Sequence, residues 1–388
     1  MANLSPANDL RETLPLDSRA WLGKKIGYLW FLGPVFLPLQ GWLLGMTTGW
    51  SALFAFWTVF VIYGVVPIVD HIVGEDARNP SDADVPQLES ESYYRLLTLS
   101  VPLVQLANLL FCGWLFVNGV GGWVGQVGWA LSAGMVSGAT VITTAHELIH
   151  KQPKLERWTG SLLLSSVCYA TFTPEHLYGH HRHVATPEDG STALKDESLL
   201  HFILRAFRYN PMRGYRISAF RARKRGHSPW GWRNEMVPLT LASIAFAVIA
   251  FALAGWLGVL FFLAQSVGAI YLLEVVNYIE HYGLMRDRLP NGKYERITPQ
   301  HSWNANFTFT NWLLFQLQRH SDHHANGGRR YQSLRHFDDA PQLPFGYATA
   351  IVVAHIPPLW RAIMNPRVEA HLAARRESAT QQNVRRGA

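Results

Sequence analysis

Only two cysteines, Cys112 and Cys168, occur in 388 residues, both inside apolar runs and without metal-type spacing. That scarcity excludes a disulfide framework and a thiolate-ligated metal site, and it leaves the compartment open. The first twenty residues lack a short apolar core followed by a small-residue cleavage site, so no removable signal peptide is expected. Neither a repeat of about 20–50 residues nor a low-complexity block is present, which excludes solenoid and propeller architectures. Charge is sparse as well: Asp, Glu, Lys and Arg make up 16% of the chain, and the long apolar blocks hold almost no Lys or Arg.

What is present is apolar and aromatic, 49% and 13% of residues, and its distribution is uneven. The mean hydropathy of +0.04 averages apolar blocks against polar stretches that carry nearly every charge and most histidines. Apolar runs near 25–45, 52–73, 96–117, 123–145, 237–255 and 256–279 are each long enough to cross a bilayer core as a helix of about 20 residues. We expect an all-α integral membrane protein with six transmembrane helices in three hairpins, turning at Gly45–Trp50, Asn118–Trp123 and Gly255–Gly258. None of the 34 Lys and Arg falls in those turns. Basic residues collect on the cytoplasmic side of membranes, so both termini and the two large polar segments should be cytoplasmic and form a helical cap. The expected organisation is a cytoplasmic N-terminal segment (1–24), a membrane domain with its cap (25–366) and a flexible basic tail (367–388). Leu162–Phe172 and Phe345–Trp360 are too short or too Pro-broken to span, and are expected as interfacial or re-entrant helices.

Of the seventeen histidines, nine fall in tight clusters. His146-Glu-Leu-Ile-His150 places two imidazoles four residues apart, on one helix face, where they can share a metal. Glu175-His-Leu-Tyr-Gly-His-His181 supplies His176 and His180 as another such pair, with His181 beside them. Asn277-Tyr-Ile-Glu-His-Tyr-Gly283 adds His281, and Leu317-Gln-Arg-His-Ser-Asp-His-His324 adds His320, His323 and His324. Nine imidazoles exceed the capacity of one ion and suit two. Thiolate-free imidazole ligation leaves Zn, Cu, Fe and Ni open on softness; two metals beside a hydrocarbon-facing bundle favour redox iron. The isolated histidines, His71, His183, His201, His227, His301, His336, His355 and His371, read as ordinary structural or surface residues. Glu147, Glu175, Glu280 and Asp322 are placed to accept the outer ring N–H of ligating histidines and fix their tautomers, or else to pair with Lys151, Arg182 or Arg319.

These four boxes, with Asp70-His-Ile-Val-Gly-Glu-Asp-Ala-Arg-Asn-Pro80, His301-Ser-Trp-Asn304 and Tyr331-Gln-Ser-Leu-Arg335, resemble the membrane-bound alkane monooxygenase family, within the histidine-rich membrane hydroxylase and desaturase superfamily. The likeness covers roughly residues 20–366. His146–His150 alone is a weak signal; Asn277–Leu284 is the telling box, carried by alkane and xylene-type hydroxylases and absent from desaturases. The resemblance implies two non-heme irons held by the nine clustered histidines, O2 as co-substrate and no heme or flavin. It also implies terminal hydroxylation of medium-to-long alkanes, with electrons from NADH reaching the enzyme through a rubredoxin reductase and a rubredoxin. It implies a bacterial inner membrane and no nucleic-acid partner.

A hydrocarbon in the bilayer would reach the metals along an apolar path between helices. Leu53, Phe56, Trp57, Phe60 and Ile62 of the second span are the candidates to line it, and the family resemblance implies that this span sets depth, with Ile62 as the depth-setting position. Rubredoxins are acidic, so Arg213, Arg221, Arg223, Lys224 and Arg225, with the tail arginines Arg375, Arg376, Arg385 and Arg386, are candidate docking residues by charge complementarity; contact with phospholipid headgroups is the alternative. Competing readings are a xylene-type hydroxylase, a fatty-acyl hydroxylase or desaturase, and, more remotely, a zinc metalloprotease with Glu147 as general base. The protease leaves six of the nine histidines without a role.

Overall fold

The computed structural model describes the backbone of residues 15–387 and the side chains of 15–377. Among the described residues the structure is helical, with three isolated bridges and no strand. Four helices are long and apolar enough to cross a membrane: α1 (Arg19–Thr48), α3 (Val85–Val117), α4 (Gly122–Ile149) and α7 (Met236–His281). Between the first two lies α2 (Trp57–Val73), apolar but only 17 residues long. Further helices are α5 (Lys154–Ser165), α6 (Leu199–Lys224), α8 (Tyr347–Ala354) and α9 (Pro357–Gly387).

The three expected turns are built by residues that stop helices. Ser18 opens α1 by accepting the Trp21 amide at 3.1 Å, and Gly49, in the left-handed region (φ 78°), closes it. α7 covers 46 residues but is two helices joined at a kink. Ala254 and Gly255 leave helical geometry, Gly255 with φ 59°, and the chain folds back. Phe246 and Phe262 then stack with ring centroids 6.3 Å apart, whereas a straight helix would separate them by about 24 Å. α7 is therefore a helical hairpin, as the two apolar runs on either side of residue 255 predict.

α4 is the central helix: 83% of its most apolar window is buried, against 17–33% in the other three long helices. Gly134 of α4 meets Gly268 of α7 so closely that a Cβ on Gly134 would lie 3.1 Å from the facing backbone. Small residues permit such contacts between helices in lipid, where burial of apolar side chains gives no advantage over contact with acyl chains. Amides add to the packing. Asn108 of α3 donates to the Ala133 carbonyl and to Ser137 Oγ of α4, each at 3.1 Å, and Ser137 in turn donates to Gln265 of α7 at 2.9 Å. On the outside, Leu103, Trp123 and Trp256 are 71–77% exposed, which suits an acyl-chain environment and not water.

One expectation is corrected: the run Leu162–Phe172 is not one helix, because α5 ends at Ser165 and the chain turns through Cys168 at φ 55°. Past residue 367, where the sequence predicts a tail, α9 continues, and its side chains as far as Arg375 pack on the rest of the chain. Val368 is fully buried, His371 donates to the Gln300 carbonyl at 2.9 Å, and Arg375 pairs with Glu295 and with Asp287. Residues 1–14 of the expected N-terminal segment lie outside the described residues; from Arg19 onward that segment is already α1, with Trp21 and Lys24 buried.

Candidate metal centre

All nine clustered imidazoles converge, in two groups. His146, His150, His176, His181 and His323 bring five ring nitrogens within 4.8 Å of one another, and His180, His281, His320 and His324 bring four. The partition differs from the one that helical spacing predicts. Ordinary helical spacing would let His176 and His180 share a metal, yet His176 groups with His181. The segment His176–His180 is a π-helical turn, whose wider spacing turns residue i+5 and not i+4 onto the face of residue i. In α4 a second π turn, Ser137–Ile142, precedes His146, and a third, Val61–Val65, interrupts α2. Within His320–Ala325 ordinary helical spacing holds: His320 and His324 share one group while His323 points to the other.

The contacts within the groups are not those of a hydrogen-bonded core. His176 Nε2 lies 3.0 Å from His150 Nε2 and 3.1 Å from His181 Nε2, which is itself 3.0 Å from His323 Nε2. In the other group His180–His324, His324–His320 and His320–His281 are separated by 3.2, 2.9 and 3.1 Å, Nε2 to Nε2. A pair of neutral imidazoles shares one proton at most, so chains of converging Nε2 atoms leave lone pairs facing each other. A cation removes the conflict. Two ligands at about 2.1 Å from one ion and at right angles to each other lie about 3.0 Å apart, which these separations match. The residues present therefore fit two imidazole-bound metal ions.

Electrostatics keeps the donors unprotonated. Burial, and then repulsion from neighbouring imidazolium charge, holds His176, His181, His320, His323 and His324 well below the ordinary histidine range. Neutral imidazole is the form that binds metal. His180 also has its tautomer fixed, since its Nδ1 donates to Asp189 Oδ2 at 2.9 Å and so presents Nε2 as the lone pair. Asp189 receives Thr192 Oγ1 at 2.7 Å. Burial pushes its carboxyl upward, but His180 and these hydrogen bonds outweigh burial and leave it held below the usual carboxylate range.

Of the four carboxylates singled out in sequence, three form ion pairs, Glu147 with the Lys151 that the sequence also offered. Glu147 pairs with Lys151 at 2.9 Å, Glu175 with Arg213 at 3.5 Å and Asp322 with Arg329 at 2.7 Å. Glu280 accepts Tyr347 Oη at 2.8 Å on one oxygen, and its other oxygen lies 3.2 Å from His320 Nε2, the inward nitrogen of that ring. Asp189 and Tyr347 were missed. Nothing in the local spacing marks them, because a loop folds Asp189 back nine residues beyond His180 and Tyr347 arrives from α8.

An apolar cavity of about 80 Å³ lies against both groups. His146, His176 and His320 form its metal side, and Ile62, Gly138, Leu272, Val276, Leu314 and Ile351 are among the apolar residues that enclose the rest. Of the five path candidates, Ile62 alone lines it. Leu53 and Phe60 are each 58% exposed on the outer surface, Phe56 packs toward Gly128 of α4, and Trp57 stacks on Phe60 and donates to Gln40. These four side chains lie outside the cavity lining. Among the docking candidates, Arg223, Lys224 and Arg225 are exposed. Arg221 lies over the Tyr178 ring at 3.4 Å, and Arg213 is turned inward toward Glu175 and Asp189. In the tail, Arg375 is committed to ion pairs, and the side chains of Arg385 and Arg386 lie outside the described residues.

Long apolar helices that carry two buried imidazole clusters beside an apolar cavity define a multi-pass membrane protein with a histidine-rich metal site. The fatty acid desaturase family model matches residues 121–353. The chain is 49% identical over 362 residues to alkane 1-monooxygenase 2 of Pseudomonas aeruginosa, covering 92% of this chain and 96% of that one. It is 46% identical over 351 residues to alkane 1-monooxygenase 2 of Alcanivorax borkumensis, covering 90% and 92%. Similarity to the hydroxylase component of the Pseudomonas putida xylene/toluene monooxygenase is lower, 29% over 237 residues and 61% of this chain. The chain belongs to the alkane 1-monooxygenase family.

Proposed function

We propose that this protein is a di-iron monooxygenase that converts alkanes to 1-alkanols: RCH3 + O2 + 2e⁻ + 2H⁺ → RCH2OH + H2O. The observation that carries the reading is the convergence of nine imidazole nitrogens, in groups of five and four, on one side of an apolar cavity. A terminal C–H bond offers no charge to polarise, so the activation of O2 and of that bond is the chemistry two bound irons supply. The nine clustered histidines would hold them. The chain's own task is placement: Ile62, Leu272 and Ile351 exclude water and align the alkane, so that one terminal methyl meets the face formed by His146, His176 and His320.

The identity and coverage of the alkane 1-monooxygenase relatives, against the shorter match to the xylene/toluene enzyme, favour an alkane substrate. The two α7 arms, with α1, α2, α3 and α4, support six crossings of a bacterial inner membrane. An even crossing number and the lack of basic residues in the three turns support a cytoplasmic position for both termini and the metal site. Electrons would come from an acidic rubredoxin, itself reduced by an NADH-dependent reductase; exposed Arg223, Lys224 and Arg225 at the end of α6 suit its charge. The test is elemental analysis of the purified protein in lipid nanodiscs, followed by turnover of octane, p-xylene and stearoyl substrates with reduced rubredoxin. About two irons per chain and 1-octanol as the main product are expected. One zinc per chain, or oxidation of the acyl substrate alone, would overturn the assignment.

A further inference from the structure

Two short segments carry ligands for both imidazole groups. His176 and His181 serve the five-nitrogen group while His180 serves the four; in the turn His320–Ala325, His323 serves the five while His320 and His324 serve the four. The remaining ligands are each tied to one group, His146 and His150 through α4 and His281 through α7. How the two groups sit relative to each other therefore depends on what holds these short segments in place.

Asp322 lies inside the second segment, between His320 and His323, and is fully buried. Its carboxylate gathers the chain that follows. Asn326 Nδ2 donates to Oδ1 at 2.7 Å, Arg329 Nη1 donates to Oδ1 and Oδ2 at 2.8 and 2.7 Å, and the Arg335 amide donates to Oδ2 at 2.8 Å. Residues 326–335 thus wrap one buried anion whose lost hydration is offset by one guanidinium and two neutral donors.

The same strap is fastened to α4. Lys151 Nζ donates to the Arg329 carbonyl at 2.7 Å, and the Tyr331 amide donates to Glu147 Oε1 at 3.2 Å. Gly327 rests on two ligating rings, since a Cβ there would lie 3.3 Å from His150 Nδ1 and 3.4 Å from His181 Cε1. Contacts therefore run without interruption from the turn that bears His320, His323 and His324 to the helix that bears His146 and His150.

We propose that Asp322, through Arg329, is a positioning residue for both metal ions: it locks residues 326–335 between the His320–Ala325 turn and α4, and so fixes the two imidazole groups relative to each other. The inference rests on the di-iron reading. Loss of the Asp322 charge loosens both ions together, whereas Asp189, which orients His180, acts on one.

The test follows transfer of iron(II) to a chelator from iron-loaded protein in nanodiscs, below the thermal midpoint of every variant, with Mössbauer spectra of the same samples. Asp322→Asn and Arg329→Gln should each release both irons about 10- to 100-fold faster than wild type and alter both iron signals. Arg329→Lys, which restores the cation, should stay near wild type, and the Asp322→Asn/Arg329→Gln double variant should be no worse than the poorer single one. Asp189→Asn should speed the release of one iron. If Asp322→Asn fails to fold, Arg329→Gln and Arg329→Lys carry the comparison, because the Arg329 side chain is partly exposed. Faster release of a single iron in the Asp322 and Arg329 variants, or a lowered thermal midpoint with both irons held as in wild type, would overturn the positioning role. Wild type that never holds two irons would instead overturn the di-iron reading itself.

Discussion

Replacing Ile62 by Trp tests the cavity directly. Ile62 lies on the π turn Val61–Val65 with its side chain on the cavity wall beside Tyr63 and Val66. An indole there would fill cavity space equivalent to roughly three methylenes of substrate. At about 0.8 kcal/mol per buried methylene, an alkane that needs this space loses about 2.4 kcal/mol of binding. With about 1.4 kcal/mol per factor of ten, kcat/KM for the longest accepted alkanes should fall roughly 50-fold, while shorter ones are spared. The assay is competition among alkanes from hexane to hexadecane, with 1-alkanols quantified by gas chromatography and iron content checked in the same preparation. Leu53→Trp is the control: Leu53 is 58% exposed and off the cavity, so its product profile should match wild type. A uniform loss across chain lengths, or no change for Ile62→Trp, would refute the assignment of this wall as the depth stop.

Gly138→Ala should act on the same cavity indirectly, because its Cβ would come within 2.7 Å of Leu272 Cδ2 and push that side chain inward. A loss of about 1–3 kcal/mol in stability is expected by thermal unfolding, with products shifted to shorter chains; wild-type values for both would show that Leu272 yields elsewhere. Asp189→Asn keeps the shape but removes the charge that orients His180, and should weaken metal binding about 10- to 100-fold in chelator competition. Equal retention would make Asp189 a packing residue. For the metal-free protein, the lowered values of His176, His181, His320, His323 and His324 mean that below pH of about 6.5 the unfolded chain takes up protons that the folded chain refuses. Stability should thus be fully present above that pH and fall on acidification; a thermal midpoint that rises with acid would contradict the burial argument.

Much of this molecule is legible in one dimension. Apolar runs of bilayer length, glycine-containing turns at residues 45–50, 118–123 and 255–258, and nine clustered histidines are local features, and local features survive in sequence. The turn at Gly255 shows why: only a left-handed residue could reverse the chain between two apolar runs, and glycine adopts that conformation without strain. Isolated histidines also read correctly as structural, as His301 does in capping the Thr298 turn and meeting Glu295 at 3.1 Å.

The sequence by itself determined that the chain is helical, that it is built of apolar helices, and that nine imidazoles are available for metal. Tertiary structure alone decided how those imidazoles divide, because π-helical turns shift which residues share a face, and no composition rule marks where a helix will widen by one residue. It also decided which carboxylates serve the histidines: Glu147 and Asp322 were claimed by Lys151 and Arg329, while Asp189 came from a loop. It selected Ile62 over its four neighbours for the cavity wall, since helix periodicity fixes spacing along one face but only packing against α4 and α7 decides which face looks inward.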